Sequence, residues 1–108
     1  MSVLRIARER IKILEEMKKR FPEFSEKYDE LILRIKKKAR IGNFYERLKI
    51  AARLDGVDVL EVEVKSSGIV YRVSYDEKMK KEGVVLGKYV GHRDYIENGK
   101  KVRRFIFE

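Results

Sequence analysis

Hydrophobic periodicity changes once along this chain, at Gly56, and that change constrains the fold more than any other feature. Before it, apolar residues recur at three- and four-residue spacing; after it they alternate. A chain of 108 residues with this order reads as a single α+β domain spanning 1–108, with a helical part over 1–54 and an antiparallel sheet over 55–108.

Three helices are expected. Over 2–20, Val3, Leu4, Ala7, Ile11, Leu14 and Phe21 recur at helical spacing, with Ile6, Ile13 and Met17 beside them. The resulting stripe is wide enough to pack on two neighbours or to form an oligomer contact. Pro22 cannot continue that helix, and Ser25 followed by Glu26 reads as a fresh N-cap. The second helix, over about 25–40, places Tyr28, Leu31, Ile32, Ile35 and Ala39 on one arc and fans its cations over the rest. Gly42 is the expected C-cap and Asn43 the next N-cap. A third helix over about 43–54 is apolar nearly all round and is expected to be buried.

Past Gly56, "VLEVEV" sets Leu60, Val62 and Val64 against Glu61 and Glu63, and "IVYRVSY" alternates back after a turn. "DEKMKKEG" is a polar connection. "VVLGKYVGHRDYI" reads as a long strand whose Gly87 and Gly91 invite bulges or bends, and Asn98–Gly99 is the strongest type I′ hairpin signal. The expected architecture is N-terminal helices, two to three, packed on one face of a four-stranded antiparallel β meander.

Composition narrows the chemistry. There is no cysteine and a single histidine, so disulfides, thiolate metal sites and a cysteine nucleophile drop out, and a zinc site falls short of its usual ligands. No catalytic residue, cofactor or metal is expected from this inventory. Charge begins immediately at the N-terminus and no apolar run reaches the ~20 residues of a membrane helix, so a cytoplasmic protein without membrane contact is the expectation. Abundant Lys, Arg and Glu without Cys or Trp suit a thermophile's protein, and equally an engineered one.

The net charge of +9 is concentrated. Residues 31–54 carry eight basic side chains against one acid, whereas residues 1–30 and 55–108 each come to +1. Arg34, Lys36, Lys37, Lys38 and Arg40 gather on the second helix with no interleaved acid. Like charges at i,i+4 cost roughly 0.2–0.5 kcal/mol each, so the cluster points to a polyanion, whose phosphates release condensed counterions when neutralised.

Other patterns in the sequence compete with it. Ala52, Gly56 and Val57 mimic the turn of a helix-turn-helix, but the following segment is β-branched and acidic, which phosphate would repel. "DVLEVEVK" resembles the active-site signature of the PD-(D/E)xK nucleases. That resemblance implies Mg²⁺ held by Asp58 (or Asp55) and Glu63, with Lys65 stabilising charge at the attacked phosphate. Tyr71, Tyr75, Tyr89, Tyr95, Phe105 and Phe107 lie on strands, where core packing outweighs base stacking. His92 lacks a partner identifiable from sequence. The expected function is therefore a small basic nucleic-acid-binding domain of weak sequence preference, DNA-binding or RNA-binding, contacting phosphates through Arg34, Lys36, Lys37, Lys38 and Arg40. Arg47, Lys49 and Arg53 would assist where exposed. The alternatives are an assembly module, a homodimer through helix 1, and the Mg²⁺ nuclease.

Overall fold

The computed structural model describes residues 2–108 and has three α-helices and one four-stranded mixed sheet, an α+β chain. In order these are α1 (Val3–Arg20), a 3-10 turn (Pro22–Phe24), α2 (Ser25–Lys38), α3 (Phe44–Leu54), β1 (Val59–Val64), β2 (Ile69–Val73), β3 (Tyr89–Glu97) and β4 (Lys100–Phe107). They fall into two compact units that divide between Leu54 and Asp55, where the periodicity changes. The charge divides there too: +8 on the first unit and +1 on the second.

In the helical unit, α1 begins at Ser2, whose hydroxyl accepts the Arg5 N–H at 3.2 Å, and stops before Pro22. Ser25 is not the cap expected of it. The 3-10 turn winds directly into α2, so Ser25 already has helical geometry (φ −52°, ψ −46°) and its own N–H bonds to the Pro22 carbonyl. The C-terminus of α2 also differs from expectation. Arg40, not Gly42, takes the left-handed conformation next to the helix (φ 53°). Its N–H bonds to the Lys37 carbonyl and that of Ile41 to Lys36, which is a Schellman closure. Asn43 does cap α3: its Oδ1 accepts the Glu46 N–H at 2.9 Å. Gly42 beside it also has a positive φ (+95°), a conformation that residues with a Cβ rarely adopt.

The α2 helix packs against both α1 and α3. Only Ala7, Ile32 and Ala52 are fully buried in these helices, and Val3 and Ile13 remain 74% and 58% exposed. The expectation of a buried α3 is corrected: apart from Ala52 its apolar residues are half-buried or, for Phe44, exposed.

The sheet order is β2-β1-β4-β3, with β1 and β4 parallel. This corrects the antiparallel meander. The connection over 74–88 is long enough for the β3–β4 hairpin to dock β4 on the free edge of β1. The pairing that results is complementary on both faces: Val62 opposite Phe105, Val64 opposite Phe107, and Glu61 opposite Arg104. Asn98 and Gly99 both have positive φ (51° and 74°) between the paired Glu97 and Lys100, as a type I′ turn requires. The strand expected from Val84 begins only at Tyr89, and its register slips between Tyr89 and Gly91. Met79, inside the polar connection, is 1% exposed, and its carbonyl accepts the Tyr71 hydroxyl.

Candidate nucleic-acid interface

All five cations singled out from the sequence lie on the last turns of α2 or directly after it. Lys36 is half-buried; Arg34, Lys37, Lys38 and Arg40 are exposed. Arg34 donates to Glu30 one turn back at 2.6 Å, an exposed i,i+4 pair worth about 0.3–0.5 kcal/mol, which a phosphate could displace. Among the described residues, Lys36, Lys37, Lys38 and Arg40 have no ion-pair partner. Arg34, Lys37 and Lys38 line one open cleft of about 520 Å³, with Leu54 as its apolar wall. Positions 34, 37 and 38 share a helix face, so the three cations converge rather than spread.

Their placement alters the energetic reasoning. Lys36, Lys37 and Lys38 occupy the last turn of α2, where the helix macrodipole favours positive charge by about 0.3–1 kcal/mol per cation. That offsets the like-charge cost, so the cluster is sustainable without a ligand. Convergence on a cleft and the shortage of carboxylates are the features that favour an anion.

Arg40 adds strain. A non-glycine residue in the left-handed region costs about 1 kcal/mol, and here glycine would serve the same closure. Arg40→Gly is expected to raise stability by about 0.5–1 kcal/mol, read as a higher denaturation midpoint, while lowering the salt dependence of polyanion binding by about one unit of slope.

Sequence reading missed one cation of this surface, Arg10. Arg10 of α1 shares a second, smaller hollow with Lys38, and it too lacks an ion-pair partner among the described residues. The antiparallel α1–α2 hairpin brings them together, and no local signal reports that pairing. Arg47 is half-buried, and its Nε is buried without a hydrogen-bond partner.

In the sheet unit the charges are used differently. Cross-strand register places Glu61 between Arg72 and Arg104. Glu61 is 5% exposed, accepts from Arg104 at 3.2 Å and from the Tyr95 hydroxyl, and pairs with Arg72 at 3.5 Å. Burial pushes its carboxyl up, but the Tyr95 hydrogen bond and the two guanidiniums outweigh this and hold it below the ordinary carboxylate range. On the opposite face Arg103, paired with Leu60, is only 5% exposed. Two hydrogen bonds to Asp94, at 2.7 and 3.0 Å, and one to Asp55 at 2.9 Å satisfy it. The Arg103 hydrogen bond holds the Asp94 carboxyl low despite its partial desolvation.

The residues of the nuclease-like signature are not brought to one point. Asp55 is engaged by Arg103, Asp58 accepts the Lys101 N–H at 2.8 Å, and Glu63 pairs with Arg104 at 3.1 Å. Lys65 lies exposed past the end of β1. Among the described residues no three acids or histidines gather to hold a metal ion. His92 is exposed, with Nδ1 3.3 Å from the Tyr89 hydroxyl. Of the aromatic residues, Phe105 and Phe107 are buried, and the hydroxyls of Tyr71, Tyr75 and Tyr95 bond within the unit. No described helix is long and apolar enough to cross a membrane. No protein-family model matches this chain, and no curated protein or solved structure resembles it.

Proposed function

We propose that this chain binds nucleic acid through its helical unit, using phosphate contacts from Arg34, Lys36, Lys37, Lys38 and Arg40. The observation that carries the reading is the cleft lined by Arg34, Lys37 and Lys38. Around it, the helical unit holds sixteen basic and eight acidic side chains. The contacts would go to the sugar–phosphate backbone, which positions a protein without specifying sequence. A mobility-shift comparison of unrelated oligonucleotides of equal length should therefore give affinities within a few-fold of one another at about 50 mM salt. Strong discrimination between sequences, or no retention of any of them, would contradict the reading.

Assembly through α1 is the second reading, favoured by the exposure of Val3, Leu4, Ile6 and Ile13 on one helix. Sedimentation across a concentration series separates the two. A stable dimer with no affinity for nucleic acid would replace the first reading by the second.

A further inference from the structure

The hollow shared by α1 and α2 differs from the cleft beside it. It measures about 210 Å³, and its lining is apolar at Val3, Ala7, Ile35 and Ala39 and cationic at Arg10 and Lys38. Its origin is steric. Ala7 forms a buried floor and Ala39 one wall, and neither side chain reaches far enough to close the space where the two helices meet. Lys38 lines both cavities, so the hollow and the cleft share one cation. Arg34 and Lys38 are four residues apart, about 6 Å along the helix.

From this geometry we infer that the protein selects single-stranded over duplex nucleic acid, by lodging one unstacked base in the hollow between Lys38 and Arg10. The inference rests on the phosphate-binding reading above and adds the form of nucleic acid to it. A recess lined by aliphatic side chains and by one cation from each helix suits a ligand whose uncharged flat body is attached to phosphates. A nucleotide within a single strand has that pattern. A base in a duplex is stacked and paired, and entering the recess would require unstacking it at a cost of a few kcal/mol. Single strands offer their bases without that cost, and aliphatic side chains, which lack donors and acceptors, do not distinguish one base edge from another. Weak sequence preference and single-strand preference are therefore compatible.

Ala39→Leu fills the recess at a half-buried position while leaving every cation in place. Fluorescence anisotropy of the full chain, with a 20-nucleotide single strand and the matching duplex at about 50 mM salt, reads the effect. Wild type should bind the single strand about tenfold more tightly than the duplex, and Ala39→Leu should remove that advantage while leaving duplex affinity within twofold. Arg10→Gln, an exposed substitution that spares the packing, should lower the single-strand salt slope by about one and leave the duplex slope unchanged. It carries the test alone if Ala39→Leu loses helical circular dichroism. Equal wild-type affinities for strand and duplex would overturn the inference and leave the phosphate reading standing. Failure to retain either would overturn both. Two further results would assign the recess to a different occupant and overturn the inference: tighter binding to phosphatidylglycerol vesicles than to the strand, or a dimer that Ala39→Leu dissociates.

Discussion

Replacing Arg34, Lys36, Lys37 and Lys38 together with alanine is expected to lower affinity for nucleic acid by roughly three orders of magnitude at 0.1 M salt. Each neutralised phosphate contributes about 0.7–0.9 to the slope of log K against log salt, so four lost contacts remove about three units, or about a thousandfold at 0.1 M relative to 1 M. Stability should move far less. The variant loses favourable charge–dipole terms in the last turn of α2, about 0.3–1 kcal/mol each before screening. It gains relief from like-charge pairs and the higher helix propensity of alanine. These opposing changes leave a net shift of about 1 kcal/mol or less. Retention in a mobility shift and a denaturation midpoint measure the two quantities separately. Loss of binding together with large destabilisation would mean that the cations serve the fold instead of a ligand.

Arg103→Ala is expected to produce the opposite pattern, costing about 3 kcal/mol of stability with little change in binding. The guanidinium is 5% exposed between Asp94 and Asp55, and its removal leaves a cavity and strands both carboxylates without their shared cation. The cost falls at the lower end for a broken buried pair because both carboxylates keep some access to water. A fall in Tm of more than about 10 °C would follow for a unit of this size.

Paired carboxylates on both sheet faces set the acid limit. Asp94 and Glu61 have carboxyls held below their ordinary values in the folded chain, so an unfolded chain binds their protons more readily. Their stabilisation is complete above the ordinary carboxylate range, near pH 4–4.5, and is lost as pH falls through the lowered values. In Arg103→Ala the Asp94 part of that dependence should disappear, flattening the acid limb of a stability–pH curve. An unchanged acid limb would show that Arg103 does not govern Asp94.

What could be read from the sequence was local. Helix spans followed from three- and four-residue spacing, Asn43 from its place before an apolar run, and the Asn98–Gly99 turn from its demand for two positive φ angles. What escaped was set by partners distant in sequence. Nothing in "KVRRFIF" states that it pairs with β1 in parallel, because a strand's alternation is the same beside any neighbour. Alternation sets Glu61 on the face opposite Leu60 and Val62, yet it is buried, because Tyr95, Arg72 and Arg104 arrive from three other strands. Within the candidate site, the α2 cations were legible as a run of like charge. Arg10 was not, since only the return of α2 along α1 places it near Lys38.

The central claim concerns where charge is placed, not how much there is. The measurement that tests it most directly is the slope of log K against log salt for a single strand, compared between two variants that each lose three cations. One carries alanine at Arg34, Lys37 and Lys38, which line the cleft; the other at Lys78, Lys80 and Lys88, which are exposed in the sheet unit. The cleft variant should have a slope shallower than wild type by about two to three units, with the sheet variant nearly unchanged. Equal slopes in the two variants would contradict the account, because net charge alone would then suffice.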